Sequence, residues 1–269
     1  MSKDVADTTR ASAEKISHTA VEAALDAAIA SPTRTPANVE RDVWRHPKET
    51  LMFFGVEPDD VVVEIWPGGG WYTEILAPYL AERGTLIAGS FRGTDDPENY
   101  RTKTRAKFEA RLTNEPAFAK VVNGTFDPPV LLDVGPPESA DVVLTFRNIH
   151  NFMNPNTLPD MFSAAYTVLK PGGTLGIVEH RAAESDADPM QVAKTGYVAQ
   201  SYVIEMAKSH GFELVGTSEI NANPKDNRDH PEGVWTLPPS LRLKDVDREK
   251  YLAIGESDRM TLKFRKLKK

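Results

Sequence analysis

From Val61 to His210 short apolar runs alternate with amphipathic stretches: Val61–Trp66 then Tyr72–Ala81, Thr85–Ala88 then Tyr100–Leu112, Lys120–Asn123, Asp141–Phe146 then Leu158–Leu169, and Thr174–Glu179 then Ser201–His210. Apolar runs belong to strands buried on both faces, and their alternation with helices predicts a parallel sheet wound by right-handed crossovers. The expected fold class is therefore α/β, a doubly wound Rossmann-like domain. Two further strand candidates, Phe212–Glu219 and Met260–Phe264, have no long helix between them, so they are expected to pair antiparallel at one sheet edge.

Ahead of this pattern, Val21, Ala24, Leu25, Ala28 and Ile29 fall on one helical stripe that Ser31-Pro32 and Thr35-Pro36 stop. A second helical stretch is predicted to start at a Thr35 cap with Pro36 in its first turn, to break before Pro47, and to resume through Leu51, Met52 and Phe53 to Gly55. The expected organisation is an N-terminal helical cap over residues 1–55 and the Rossmann-like domain over 56–269, with 221–240 a long irregular loop of the kind that is more often functional or mobile than neutral.

Composition narrows the function classes. Of 269 residues 40% are hydrophobic and 26% charged, the balance of a folded globular chain. With 32 Lys+Arg against 39 Asp+Glu the net charge is −7, which gives no overall attraction to nucleic acid or anionic lipid; the basic run Lys263–Lys269 alternates with Leu262, Phe264 and Leu267 and reads as a strand. Zero cysteines exclude disulfides, thiolate zinc sites and cysteine nucleophiles. No apolar run approaches the roughly 18 residues of a membrane span, and Met1–Ile16 is charged where a signal peptide is apolar, so a cytoplasmic protein, monomer or homodimer, is expected.

The most informative segment is Val61-Val62-Val63-Glu64-Ile65-Trp66-Pro67-Gly68-Gly69-Gly70-Trp71-Tyr72-Thr73-Glu74, a buried strand running through three glycines into a helix. Main-chain N–H groups at such a helix start face any ligand lying across the strand end. Alternation puts Glu64 on the side of Trp66, where its carboxylate meets a cationic amine or the turn itself, and Pro67 biases Trp66 toward an extended backbone that prolongs the strand. The contiguous glycines do not match the dinucleotide fingerprint, whose last glycine serves helix packing.

On these residues the chain resembles the class I S-adenosylmethionine-dependent methyltransferases, and more narrowly a group of bacterial sequences whose first motif reads Glu-x-Trp-Pro-Gly-Gly-Gly-Trp-Tyr-Thr-Glu. The likeness continues through Asp141-Val142-Val143-Leu144, Leu169-Lys170-Pro171-Gly172-Gly173 and Gly211-Phe212. It implies a seven-stranded sheet with an antiparallel last strand and S-adenosylmethionine lying over Glu64 and the Pro67, Gly68, Gly69, Gly70, Tyr72 turn, with the methionyl amine and carboxylate near it. Two departures stand out: Trp66 replaces the usual first glycine, and Ser90 stands where an acidic residue usually meets the ribose. Asp95 or Asp96 is the alternative ribose partner, although Asp96-Pro97 reads more simply as a helix cap. Gly124, Thr125 and Phe126 follow the third predicted strand, where the resemblance implies adenine contact; Phe126 reads equally well as core.

Thr145-Phe146-Arg147-Asn148-Ile149-His150-Asn151 ends the fourth strand, and this polar cluster is the preferred reaction centre. Methyl transfer requires an in-line nucleophile, and a base where that nucleophile arrives protonated; His150 is the candidate base, with Arg147, Asn148 and Asn151 orienting an oxygen-bearing substrate and Arg147 also within reach of the cofactor. Glu179-His180-Arg181 ends the fifth strand and contributes Glu179 and His180, with an internal ion pair as the alternative use. Arg41, Trp44, Arg45 and His46 are placed as a lid, Trp44 rather as an anchor. Asp226, Asp229, His230 and Glu232 offer metal-type ligands, but turn chemistry around Pro224 and Pro231 explains them and no His-Glu-x-x-His spacing exists, so no metal is expected. The expected activity is methylation of a small polar molecule; the alternatives are a non-catalytic binding or scaffold protein on the same fold and an S-adenosylmethionine enzyme with other chemistry.

Overall fold

Strands β1 (Val61–Ile65), β2 (Thr85–Ser90), β3 (Val122–Asp127), β4 (Leu131–Asp133), β5 (Ala140–Phe146), β6 (Leu169–His180), β7 (Phe212–Ser218) and β8 (Arg259–Lys266) form one sheet in the computed structural model of the chain, which describes residues 16–185 and 187–267. Their order is β4-β3-β2-β1-β5-β6-β8-β7. Neighbours from β3 through β6 run parallel, and β8 is antiparallel to both β6 and β7. The mixed, doubly wound sheet expected from the hydrophobic pattern is present, with one strand beyond seven: β4, three exposed residues folded back on β3, has no burial pattern that could announce it.

Alternation along the strands splits their side chains into two cores. Val63, Ile87, Val143 and Ile177 face one side with Phe152, Phe162 and Phe264, while Val62, Leu86, Leu144 and Val178 face the other. The second core is closed by N-terminal helices: Leu25 and Ala28 from His18–Ile29, and Leu51 and Phe54 from Pro47–Phe54. The latter helix comes close enough to β6 that a Cβ on Gly176 would lie 2.8 Å from the Phe54 ring. As expected, the helical path breaks before Pro47 and ends in a left-handed Gly55. Thr35 precedes the turn of helix at Pro36–Val39 but does not cap it; its hydroxyl donates to Glu74 at 2.6 Å.

Three local expectations need correcting. Trp66 is not extended: it turns left-handed at φ 51°, and the strand ends at Ile65. A left-handed non-glycine residue costs about 1–2 kcal/mol, but the turn sends the indole onto Phe152 at 3.9 Å and its N–H to the Phe126 carbonyl at 2.7 Å. Burying roughly 200 Å² of ring contributes about 5 kcal/mol, so burial wins over the proline bias. β3 runs from Val122 to Asp127, so Gly124, Thr125 and Phe126 lie within the strand rather than after it. The helix Tyr100–Asn114 is capped by Asn99, whose side chain accepts from Arg101 N at 2.9 Å; Asp96 closes the turn upstream on Glu98 N.

The charged segment Met1–Lys15, which carries most of the cytoplasmic expectation, lies outside the described residues, as do Lys268 and Lys269 at the end of the basic run. Among the described residues no helix is long and apolar enough to cross a membrane.

Candidate functional site

The order of strands reverses between β1 and β5, and in doubly wound sheets the crevice at such a reversal receives ligands. A cavity of about 430 Å³ opens there, within the range of small-molecule sites. One wall is the turn after β1. Gly68 and Gly69 border the cavity, and an added Cβ at either would meet nothing within 4 Å. Gly70, left-handed at φ 84°, is buried away from the cavity; its N–H closes the turn on the Pro67 carbonyl at 2.9 Å and its α-carbon faces Phe108. Among the described residues nothing in the chain takes the N–H groups of Gly68 and Gly69.

The turn is held from all sides. Asn148 Nδ2 donates to the Ile65 carbonyl at 3.1 Å and to Thr145 Oγ1 at 3.1 Å, Arg111 Nη1 donates to the Gly69 carbonyl at 2.8 Å, and Trp71 Nε1 donates to the Asn38 carbonyl at 2.9 Å. Glu74, buried in the helix after the turn, accepts from Thr35, Asn38 and Arg111, so the N-terminal helices and the helix Tyr100–Asn114 converge on it. Behind the turn, Glu64 is buried and accepts from Thr73 Oγ1 at 2.6 Å. Burial pushes its pKa up to about 7, against the Thr73 hydrogen bond and the Arg147 charge.

The opposite wall carries the polar strand ends. His150 is buried and its Nδ1 lies 3.1 Å from Glu179 Oε1. Glu179, fully buried, also accepts from the main-chain N–H of Ile149 at 2.5 Å and of His180 at 2.8 Å, so both its oxygens are engaged and it fixes the His150 ring. His180 turns Nδ1 to Ser257 Oγ at 2.5 Å, and burial followed by the charges of His150 and Arg147 pushes its pKa down, leaving it neutral. Both imidazoles border the cavity, and among the described residues neither Nε2 has a hydrogen-bond partner. The internal ion pair given as the alternative use of Glu179-His180-Arg181 does not form: the Glu179 side chain meets the His150 ring, and Arg181 turns away to Asp258 and Glu219.

Of the predicted site residues, the structure brings Glu64, Pro67, Gly68, Gly69, Tyr72, Arg147, Asn148, His150, Asn151 and His180 to this one cavity. Tyr72 lies in its wall with its ring stacked on Phe146 at 3.6 Å. Five others stand off it: Gly70 as described, Glu179 fully buried behind His150, Ser90 bonded to Asn123 Oδ1 at 3.2 Å, Thr125 receiving Arg105 Nη1 at 3.0 Å, and Phe126 in the core. That end of the cavity is bordered by Trp66, Phe91, Tyr100 and Arg101, with the Arg101 guanidinium 4.8 Å over the Trp66 ring. From the lid segment Arg41 and Arg45 reach the cavity, whereas Trp44 packs against Gly255.

Asp226 is occupied by hydrogen-bond donors of the chain. It accepts from Tyr197, His230, Arg228 N and Asp258 N, fixing the loop whose far part, Val234 to Ser240, roofs the cavity. Sequence reasoning missed Glu256 and Ser257, which border the cavity just before β8. Glu256 accepts from Arg41 Nε at 2.6 Å, Arg45 Nε at 3.2 Å and Arg259 Nη1 at 3.1 Å. Burial pulls its pKa upward, but these guanidiniums and Arg147 outweigh that and hold it at about 2.

No protein-family model matches the chain, and no curated protein does. Solved structures do. A SAM dependent methyltransferase from Aquifex aeolicus is 14% identical, covers 91% of this chain and 98% of its own, and superposes with a TM-score of 0.54. A (4+2) cyclase, SpnF, is 14% identical over 83% of this chain and 80% of its own, with a TM-score of 0.57. A geranyl diphosphate methyltransferase in complex with SAM is 10% identical over 90% and 95%, with a TM-score of 0.55. Likeness at this identity concerns the backbone alone, and the cyclase illustrates that one such backbone serves more than one reaction. The chain has the Rossmann-like fold of S-adenosylmethionine-dependent methyltransferases.

Proposed function

We propose that the protein binds S-adenosylmethionine across the turn after β1 and transfers its methyl group to a small polar molecule held between that turn and His150. One observation carries this reading: the uncovered main chain of Gly68 and Gly69, the buried carboxyl of Glu64 and the unpartnered Nε2 of His150 all border the same cavity. The indole of Trp66, which replaces a glycine, does not plug this space because its left-handed backbone turns the ring onto Phe152.

The residues fit the cofactor's methionyl end. Glu64, ionised, complements an ammonium, and the free N–H groups of the turn complement a carboxylate. At the other end the planar faces of Phe91, Tyr100 and Trp66 suit a nucleobase. When bound, the cofactor supplies an electrophilic methyl on a sulfonium. His150, fixed by Glu179 through Nδ1, accepts the acceptor's proton on Nε2 as its nucleophile is methylated, and Glu179 stabilises the imidazolium that results. Asn148 positions the turn, since its Nδ2 is taken by Ile65 and Thr145, and its Oδ1 remains for the substrate.

Calorimetric titration with S-adenosylhomocysteine tests the reading. Binding is expected in the wild type and is lost in Gly69→Val, whose Cβ points into the cavity with no protein atom within 4 Å, so its unfolding temperature is expected to stay near the wild type's. His150→Ala keeps that affinity within a few-fold and lowers turnover; equal loss of both removes His150 as base. Ser90, standing where the resemblance implies an acid for the ribose, favours a second reading, a binding protein without turnover on this fold. Wild-type heat with S-adenosylhomocysteine but no methylated product from any acceptor would select it, and no heat at millimolar ligand sinks both cofactor-based readings.

A further inference from the structure

Among the described residues, the buried and half-buried guanidiniums around the cavity come with carboxylates, with one exception. Arg34 is paired with Asp42, and Arg41, Arg45 and Arg259 share Glu256. Arg147, at the end of β5, borders the cavity, and among the described residues its guanidinium has neither a hydrogen bond nor an ion pair in the chain. Its backbone is left-handed at φ 60°, a conformation that costs an arginine about 1–2 kcal/mol and here aims the side chain inward. Nearby, Arg45 Nη1 is buried with no acceptor.

The charges at this wall do not balance. Four guanidiniums, Arg41, Arg45, Arg147 and Arg259, surround the single carboxylate of Glu256, whose two oxygens are already taken, in a chain whose net charge is −7. Burying an unpaired guanidinium is expensive, and a planar fork with free N–H donors is complementary to the two or three oxygens of a carboxylate or phosphate. The same excess argues against a cation. His150, Glu179 and His180 offer ligand-type atoms within 4.8 Å of one another, but Glu179 is saturated by main-chain donors and a divalent ion there would face Arg147.

We propose that this arginine wall receives the carboxylate or phosphate group of the methyl acceptor, which is therefore a small organic anion with its nucleophilic atom turned toward His150. The word acceptor rests on the function proposed above; the oxyanion site itself does not. A carboxylate has a second source, the methionyl end of the cofactor, and the test separates the two.

Protein saturated with S-adenosylhomocysteine is titrated calorimetrically with inorganic phosphate, with acetate, and with acetamide as the uncharged control. Saturable binding of phosphate or acetate but not acetamide is expected, weakened about ten-fold or more in Arg147→Gln and partly restored in Arg147→Lys. Arg147→Gln removes an unpaired, half-buried charge, so its unfolding temperature should equal or exceed that of the wild type. Its affinity for S-adenosylhomocysteine and for 5′-methylthioadenosine, which lacks the carboxylate, should stay within about three-fold, less than one charge-assisted hydrogen bond. The proposal is overturned if neither anion saturates the wild type, if Arg147→Gln and Arg147→Lys bind anion as the wild type does, or if Arg147→Gln loses S-adenosylhomocysteine selectively while keeping 5′-methylthioadenosine. Anion binding that depends on Arg147 in a protein that binds neither nucleoside would leave this site standing and remove the proposed function.

Discussion

Two buried carboxyl groups border the cavity, and their surroundings drive them in opposite directions. Glu64 sits behind the glycine turn with one hydroxyl donor and is pushed up to about 7 by burial; Glu256 sits among guanidiniums and is held at about 2 despite burial. The difference lies in what each wall has already satisfied. The turn wall has its carbonyls of Ile65 and Gly69 held by side chains and leaves one titratable acid poised for a cation, while the far wall spends its acid on its own arginines and still has a guanidinium to spare. An amino-acid-like ligand end matches the first wall and an oxyanion the second.

The largest effect expected comes from removing the shared acid. Glu256→Gln leaves the buried Arg45 and Arg259 and the half-buried Arg41 with no counter-charge, and breaking a buried ion network in this way costs about 3–5 kcal/mol. In a chain of this size that lowers the unfolding temperature by on the order of 10 °C, measurable by calorimetry at pH 7. A loss under about 1 kcal/mol would mean that the guanidiniums relax into water, and the contrast between the walls would vanish.

The second effect concerns Glu64 and pH. Its folded pKa is raised above the unfolded value of 4.5 to about 7, so its contribution to stability is fully present below 4.5 and is lost as pH rises through 7, by about 3 kcal/mol in total. Glu256 has the opposite sign: its folded pKa is depressed, so its contribution is present above 4.5 and is lost as pH falls toward 2. Asp60, raised to about 6 mainly by burial, slopes as Glu64 does, and His180, held neutral, slopes the other way below 6.5. The informative quantity is therefore the wild type minus Glu64→Gln. Urea unfolding between pH 4.5 and 8 should give a wild type that loses stability relative to the variant as pH rises, and parallel curves would show that Glu64 does not titrate in this window.

How much of the two walls was legible follows from how each is encoded. The turn wall lies in one contiguous segment, Val61 to Glu74, whose apolar run, glycines and paired acids are all local signals, and apart from Trp66 its strand, turn and helix formed where expected. The far wall joins residues distant in sequence: the Arg41–Glu256 and Arg45–Glu256 pairs span 215 and 211 positions, and Glu256 sits before β8 in a stretch with no motif. His150 and Glu179 were each visible as polar strand ends, but their pairing depends on β5 and β6 being neighbours in parallel register. The misplacement of Phe126 has a local cause, because Gly124 interrupts the apolar run and conceals the second half of β3. Trp66 has a tertiary cause, the receiving surface of Phe152 and the Phe126 carbonyl, which no reading of Trp66-Pro67 contains.

The smallest effect expected probes that last point. Trp66→Phe keeps an aromatic ring against Phe152 but removes the indole N–H, leaving the Phe126 carbonyl buried without its donor; the cost is about 1–2 kcal/mol, seen as a fall of roughly 2–6 °C in unfolding temperature. Because the ring sits beneath Arg101 rather than across Gly68 and Gly69, affinity for S-adenosylhomocysteine should change less than stability does. If affinity falls instead while stability holds, the indole is a ligand contact and not a support for the turn. The turn wall would then owe its shape to the ligand, and the rigidity assigned to it here would belong only to the bound protein.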